Sequence, residues 1–163
     1  MRFNENGKVI NEGFFDKFKN KNKRDNQSEK QTDSGLNNYY NLNNETDIKV
    51  YQKYCEEIRQ KYSAQERASN EYIKFSDDIK FMEKNDLVVI RDDGMGNLFM
   101  MSNNDKIYFW DHEYGWGSRS GFKGKHYLSF NKYLEYIEIL NDESDDAQQK
   151  YDDFVSKNNI KDW

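Results

Sequence analysis

The stretch KIYFWDHEYGWGS, at residues 106–118, crowds together residue types that can do chemistry. Asp111, His112 and Glu113 offer carboxylate and imidazole atoms of the kind that bind metal ions, and His126 is the second of only two histidines. Neighbouring residues of a strand point to opposite faces, so Asp111 and His112 are poorly placed to hold one ion together. The sequence also lacks an HExxH pair and paired CxxC motifs. We therefore expect no metal site.

The familiar catalytic motifs are missing from the sequence as well. No serine lies in a GxSxG elbow, and Gly94-Met95-Gly96 lacks the third glycine and the lysine of a phosphate loop. Carboxylates are plentiful, yet none stands out as a general acid–base pair. The single cysteine, Cys55, falls on an apolar helical face, which favours packing, and a lone cysteine fits a reducing compartment. We expect a cytoplasmic protein that is not an enzyme and uses no cofactor.

The same stretch suits contact with a macromolecule. Tyr, Trp and Arg dominate the residues that carry binding energy at protein interfaces. Tyr114, Trp116 and Arg119 lie in a glycine-rich segment after the last apolar run, and we predict that they contact a partner. An architectural interpretation stays open beside this one, in which Asp111 accepts hydrogen bonds from loop amides and His112 packs against the sheet. Both interpretations can hold at once.

The net charge of −5 is unevenly distributed over the 163 residues. Residues 17–30 carry six basic and two acidic side chains, whereas residues 135–163 carry nine carboxylates and three lysines. An acidic surface suits a basic partner, although a solvated surface that keeps the protein soluble explains the same charges. Residues 86–134 carry equal numbers of acids and bases, so no basic stripe predicts specific binding of nucleic acid. The residues predicted to form a charged rim around the partner site are Asp142, Glu143, Asp145 and Asp146.

Residues 1–35 are predicted to be a flexible leader, and residues 36–163 a single domain. The last 17 residues of the leader contain no apolar side chain, so they cannot offset the entropy cost of ordering. Before them, Phe14, Phe15 and Phe18 can share one face of a short helix that lysines follow. Such a basic amphipathic segment suits a membrane surface or a partner groove, or else docks on its own domain.

Apolar residues spaced three and four apart predict helices near residues 46–62, 64–83, 129–141 and 145–157. The first stripe runs from Ile48 to Tyr62, and the second runs from Ala68 through Tyr72 to Met82. Ser63 and Glu66 form a capping box at the start of the second helix. Between residues 86 and 110, three apolar runs are joined by turns rich in glycine, asparagine and aspartate, which predicts an antiparallel meander. Trp110 ends the third run and is predicted to be buried, whereas residues 111–128 are predicted to be a loop. The predicted fold class is α+β, a meander packed with helices.

The segment LVVIRDDGMGNLFMMSNNDKIYFWDHE, with YLSFNKYLEYI after it, resembles the SMI1/KNR4 superfamily, also called SUKH. The family pattern is a strand, a Gly-x-Gly turn, a second strand, a third strand that ends in Trp-Asp-His or a similar triplet, and a helix opened by Ser-Phe. The positions that match this pattern are Gly94, Gly96, Trp110, Asp111, His112, Ser129 and Phe130. The match spans residues 86–140, and the resemblance implies an antiparallel sheet flanked by helices.

The resemblance also implies binding without catalysis. Many bacterial members are immunity proteins that bind a polymorphic toxin, often a nuclease, and fungal members are signalling scaffolds. We accordingly expect an immunity-type protein that neutralises a cognate toxin, and we expect that toxin to be basic because the C-terminal segment is acidic. The alternative is a non-catalytic scaffold or regulatory adaptor, held near a membrane by Phe14, Phe15 and Phe18.

Overall fold

The computed structural model describes residues 2–3, 9–10, 42, 44–115 and 119–160. Within the predicted leader, β1 (Arg2–Phe3) and β2 (Val9–Ile10) pair as an antiparallel ribbon. The rest of that leader, with the predicted anchor residues Phe14, Phe15 and Phe18, lies outside the described residues. No helix in the described part of the chain is long and apolar enough to cross a membrane.

The first helix, α1 (Ile48–Lys61), confirms the helix predicted near residues 46–62. Asp47 caps its first turn, because the Asp47 carboxylate accepts a hydrogen bond of 2.9 Å from the Lys49 amide. The apolar stripe of this helix is buried and includes Cys55. Burial raises the pKa of the Cys55 thiol to about 12, so at neutral pH this cysteine is a protonated packing group.

The single helix predicted over residues 64–83 is wrong, because the structure has two helices there. They are α2 (Ala64–Asn70) and α3 (Ser76–Asn85). The predicted capping box is present at the start of α2, where the Ser63 hydroxyl accepts a hydrogen bond from the Glu66 amide. In return, the Glu66 carboxylate accepts one of 2.8 Å from the Ser63 amide.

A Schellman turn ends α2 and breaks the predicted helix. Tyr72 adopts the left-handed conformation with φ 59, and the Ile73 amide donates a hydrogen bond of 2.9 Å to the Ala68 carbonyl. The turn leaves Tyr72 71% exposed and buries Ile73, which is 1% exposed. The spacing of four that placed Tyr72 in an apolar stripe does not continue across a left-handed residue, and this is why the pattern failed.

Four antiparallel strands form the main sheet, and each pairs with the next one in the chain. They are β3 (Val88–Asp92), β4 (Leu98–Met101), β5 (Lys106–Trp110) and β6 (Tyr127–Ser129). The first three confirm the meander predicted between residues 86 and 110. The fourth falls in the segment 111–128 that was predicted to be a loop, and it pairs Leu128 with Ile107. Its three residues are too few to show an alternating pattern.

The connection from β5 to β6 contains the single helical turn α4 (His112–Gly115) and a 3-10 turn, Lys123–Lys125. Two longer helices follow the sheet, α5 (Phe130–Leu140) and α6 (Ala147–Asn158). They confirm the helices predicted near residues 129–141 and 145–157. Ser129 directly precedes α5, although its side chain makes no capping hydrogen bond.

Helices cover both faces of the sheet. On one face, the ring of Phe99 lies 6.1 Å from the ring of Tyr136 on α5, and Phe154 on α6 lies 5.6 Å from the same tyrosine. Tyr51 of α1 contacts Phe130 of α5 at 4.9 Å, which brings α1 alongside. These ring contacts make the core aromatic, as the 16% aromatic composition implies.

The opposite face of the sheet is covered by α3. The ring of Phe81 on α3 lies 5.2 Å from that of Tyr108 on β5, and Asp78 accepts a hydrogen bond from the Trp110 indole. Tyr108 and Phe109 are neighbours on β5, and their side chains serve opposite layers. The fold is therefore α+β, an antiparallel meander between helical layers, as predicted.

Candidate functional site

The candidate site is the aromatic loop, residues 111–122, which leaves the end of β5. A buried carboxylate holds this loop. Asp78 of α3 is 0% exposed, and it accepts hydrogen bonds from the Trp110 indole at 2.8 Å and from the Gly121 amide at 2.9 Å. The Ser120 hydroxyl donates a third hydrogen bond to the same carboxylate. One buried acid thus joins α3, the end of β5 and the far end of the loop.

Trp110 is fully buried, as predicted, and two glycines of the loop lie against its indole. A Cβ atom on Gly115 would lie 2.1 Å from Trp110 Cζ2, and a Cβ on Gly121 would lie 2.2 Å from Trp110 Nε1. Real Cβ atoms do not approach other heavy atoms so closely, so any larger residue must push the loop off the indole. Close approach to Trp110 is therefore the reason for glycine at both positions.

Asp111 closes the base of the aromatic loop. Its amide donates a hydrogen bond of 2.9 Å to the Gly121 carbonyl, and its own carbonyl accepts one of 2.9 Å from the Gly115 amide. Its carboxylate accepts a hydrogen bond from the Glu113 amide at 2.8 Å and forms an ion pair with Lys123 at 2.8 Å. Asp111 therefore performs the architectural task that was one of the two interpretations of the sequence.

His112 ties the loop to the hairpin turn between β3 and β4. The His112 amide donates a hydrogen bond of 3.1 Å to Asn97 Oδ1, and His112 Nδ1 lies 2.8 Å from the same oxygen. Because an amide oxygen only accepts, Nδ1 carries the proton. The imidazole lies over Gly96, which has φ 101, and Gly94 has φ 75. Both glycines allow backbone conformations that side chains disfavour, as expected for a tight turn.

Two of the predicted partner residues are displayed by this anchored loop. Tyr114 is 38% exposed, and the Lys123 ammonium lies 3.8 Å from the centre of its ring. Arg119 is exposed. Trp116, the third predicted contact, lies outside the described residues. The described parts of the loop, residues 111–115 and 119–122, thus present an exposed tyrosine and an exposed arginine.

The predicted charged rim forms an acidic turn, residues 141–146, between α5 and α6. Lys150 pairs with Asp142 at 2.7 Å and with Asp146 at 3.0 Å. The hydrogen bond from Lys150 is the main reason why the pKa of Asp142 lies below its ordinary value. Glu143 and Asp145 are exposed, and neither has an ion pair among the residues that the structure describes.

The structure does not bring the two predicted groups into contact. Within residues 44–115 and 119–160, no hydrogen bond or ion pair joins the aromatic loop to the acidic turn. A partner that uses both groups must therefore be large enough to touch two separate surfaces.

The sequence analysis did not identify the residues that hold the aromatic loop in place. Asp78 follows Asp77 in the first turn of α3, where acids are common. The sequence therefore does not indicate that Asp78 is buried. Ser120 and Asn97 stand in polar turns and look equally ordinary. Only the glycine-rich composition of the loop was a readable signal, and it indicated a turn without indicating what the glycines approach.

Metal binding and acid–base chemistry would need suitable side chains among the described residues. They contain no group of three or more His, Cys, Asp and Glu side chains placed to hold a metal ion. Burial, with a smaller contribution from Asp92, raises the pKa of the Glu71 carboxyl to about 7. Glu71 lines neither of the two clefts described for this chain, which have volumes of about 390 and 340 Å³. Comparisons with protein-family models, curated proteins and solved structures find no match for this chain.

Proposed function

We propose that this protein is an immunity-type protein, which neutralises a protein toxin in the cytoplasm by stoichiometric binding and without catalysis. The aromatic loop is the observation that carries the proposal. Its backbone is held by Asp78 and Asp111, and it presents Tyr114 and Arg119 outward. Tyr114 and Arg119 lie on the described parts of the loop, residues 111–115 and 119–122, whose backbone is fixed by these hydrogen bonds. Exposed side chains of these types on a fixed backbone lose little entropy on binding and so gain affinity efficiently.

The resemblance to the SMI1/KNR4 superfamily supports the same proposal. Four of the residues on which it rests, Gly96, Trp110, Asp111 and His112, meet at the base of the aromatic loop. They act on backbone geometry and packing, which is the task expected of a shared pattern that presents a variable binding surface. We propose that the chain belongs to this superfamily, in which many bacterial members bind toxins.

The acidic turn supports a basic partner, and toxins that are nucleases are one such class. Glu143 and Asp145 are exposed and are not paired with Lys150, so they are available to meet lysines and arginines of a partner. Complementary charge speeds the encounter and fixes its orientation. Asp142 and Asp146 are held by Lys150 and contribute less net charge.

The test is co-expression with the toxin encoded beside the gene. We expect the cells to survive and a one-to-one complex to be isolated. Tyr114→Ala should weaken the complex more than tenfold, since aromatic anchors of interfaces typically contribute above about 1.4 kcal/mol. Tyr127→Ala is the matched control, because Tyr127 is 49% exposed and also lies under a lysine, Lys106, at 4.2 Å.

The control variant should change the affinity less than twofold, because Tyr127 lies on β6 and not on the aromatic loop. Equal losses from Tyr114→Ala and Tyr127→Ala would show that the loop is not the contact surface. Death of the cells without any complex, for every toxin encoded near the gene, would refute the proposed function itself.

A further inference from the structure

We propose that the cavity between the start of α1 and the outer face of α5 binds a basic side chain, arginine or lysine, supplied by a partner protein. The cavity has a volume of about 340 Å³. It combines an apolar floor with a rim of carboxylates. The floor suits the methylene groups of a lysine or arginine, and the rim suits its charged head. The proposal rests on the proposed function in one respect, since the toxin is the partner that supplies the side chain.

The floor of the cavity is apolar and well packed. Tyr51 and Tyr133 are only 2% and 1% exposed, and their rings meet edge to face at 6.5 Å. Leu134 and Ile137 line the same cavity from α5. The methylene groups of a lysine or arginine gain free energy when they leave water for a surface of this kind, while the charged head stays at the opening.

The rim of the cavity carries three carboxylates, which belong to Glu45, Glu135 and Glu138. Glu138 is exposed, and its carboxylate has no ion pair or hydrogen bond among the residues that the structure describes. Glu135 lies one turn before it on the same face of α5 and pairs with Lys132 at 2.5 Å. Glu138 is therefore the carboxylate best placed to receive a new cation.

The other two rim carboxylates are already partly engaged. Glu45 Oε1 accepts hydrogen bonds of 2.9 Å from the amides of Thr46 and Asp47, so one oxygen of Glu45 is committed to the backbone. Lys132, the partner of Glu135, also lies 5.7 Å from the ring of Phe154 on α6. These engagements hold the rim in place and concentrate the binding of a cation on Glu138.

Arg91 is a cation that lines the cavity itself, and its charge determines where the head of a bound basic side chain would lie. Arg91 of β3 lines the cavity and hydrogen-bonds to the hydroxyl of Tyr133, which belongs to the floor. Three carboxylates, set against Arg91 and against the Lys132 that pairs with Glu135, leave the cavity and its rim net negative by one charge. The charged head of a bound arginine or lysine is repelled by Arg91 at the floor and attracted by the carboxylates of the rim. It should therefore lie near Glu138.

The cavity also adjoins the acidic turn. Asn141 lines the cavity and is the first residue of that turn. A basic partner surface attracted by Glu143 and Asp145 would therefore come to rest beside the opening. This continuity is why a protein partner fits the cavity better than an isolated small cation.

The test is a titration of the full-length chain with the peptide acetyl-Gly-Arg-Gly-amide, followed by the NMR shifts of backbone amides. We expect saturable shifts along α5 around Leu134 and Glu138. The neutral peptide acetyl-Gly-Gln-Gly-amide and the acidic peptide acetyl-Gly-Glu-Gly-amide should cause none. Glu138→Gln should weaken binding of the arginine peptide about threefold to fivefold, as expected for a partly exposed ion pair.

Two variants separate the cavity from general electrostatic attraction. Glu143→Gln removes the same charge from the acidic turn, outside the cavity, and should weaken binding less than about 1.5-fold. Asn131→Trp fills the cavity from the exposed face of α5 without changing the charge, and it should abolish binding. Equal effects of Glu138→Gln and Glu143→Gln would overturn the proposal, and so would undiminished binding to Asn131→Trp.

Other occupants give different results. Tighter binding of the glutamate peptide would mean that Arg91 selects an anion, and shifts that follow protein concentration instead of peptide would mean that a second copy fills the cavity. Either result overturns the proposal. The peptide titration needs no toxin, so its success beside a failed co-expression experiment refutes only the proposed function. Toxin neutralisation without peptide binding refutes only the role of the cavity.

Discussion

Replacing Asp78 with alanine tests how the aromatic loop is held. The variant leaves two buried N–H groups, the Trp110 indole and the Gly121 amide, without an acceptor. Each unsatisfied buried donor costs about 1–3 kcal/mol, and relief from burying a charge returns part of this, so we expect a loss of about 3–4 kcal/mol in the free energy of unfolding. The Ser120 hydroxyl also loses its acceptor, but it can turn towards another one.

Asp78→Asn separates hydrogen bonding from charge. Both N–H donors bond to the same oxygen, Oδ2, while the Ser120 hydroxyl donates to Oδ1. An asparagine can place its oxygen at the Oδ2 position and its NH₂ group towards Ser120 Oγ, which is able to accept. The two buried N–H donors then keep their acceptor, and only the Ser120 hydroxyl must turn its proton to another acceptor, so we expect a loss of only about 1 kcal/mol.

Urea denaturation followed by tryptophan fluorescence measures these losses, and hydrogen exchange of the Gly121 amide reports the loop directly. Asp77→Ala is the control, because Asp77 is the neighbouring acid, has a side chain 69% exposed and pairs with Lys80 at 3.7 Å. We expect the control to change stability by about 0.5 kcal/mol or less. If Asp78→Ala costs no more than the control, or if Gly121 stays protected in it, the carboxylate does not hold the loop and our reasoning is wrong.

Two further predictions concern stability. Gly121→Ala should destabilise the protein by about 2–3 kcal/mol, because its Cβ would meet the buried indole of Trp110 at 2.2 Å. In the comparison variant Gly124→Ala the Cβ meets the exposed side chain of His126, which can turn away, so only the left-handed backbone, with φ 59, costs about 1 kcal/mol; equal losses in chemical denaturation would contradict this. Glu71→Gln should stabilise the protein by about 1–2 kcal/mol at pH 8 but not at pH 4. A pKa raised from 4.5 to about 7 corresponds to about 3 kcal/mol, and the partial exposure of Glu71 reduces that figure. Burial raises the pKa of Glu71 from 4.5 to about 7, so wild-type stability falls as the pH rises through that window and the penalty is complete above pH 7; the same gain at both pH values in urea denaturation would contradict the assignment.

Periodicity in the sequence was a reliable guide where a local pattern was long enough. The stripe from Ile48 to Tyr62 predicted α1, and runs of β-branched and aromatic residues predicted the meander. It failed at Tyr72, because a left-handed turn lets the chain skip one residue and bury Ile73 instead. It also missed β6, because this strand has only three residues and is defined by its pairing with β5, which a local pattern does not show.

Some features of the candidate site could be predicted from the sequence and others could not. Composition alone drew attention to Tyr114, Trp116 and Arg119, because aromatic and arginine side chains in a glycine-rich segment can be recognised in the sequence. Tyr114 and Arg119 are exposed, and their contact with a partner stays a prediction. Composition did not identify Asp78, since an acid in the first turn of a helix looks the same whether it is solvated or buried. Nor did it predict the cavity beside Glu138, which exists only where α1 and α5 meet.

The sequence by itself determined most of the helices, the first three strands of the main sheet and which loop carries aromatic and basic side chains. All of these follow from short-range spacing and residue type. The tertiary structure alone decided that Asp78, 43 residues before Gly121 in the chain, holds this loop through the Gly121 amide. It also decided that the indole of Trp110 requires glycine at positions 115 and 121, where the loop lies against it. Contacts between distant residues depend on how the layers pack, and residue types and their local spacing do not record this.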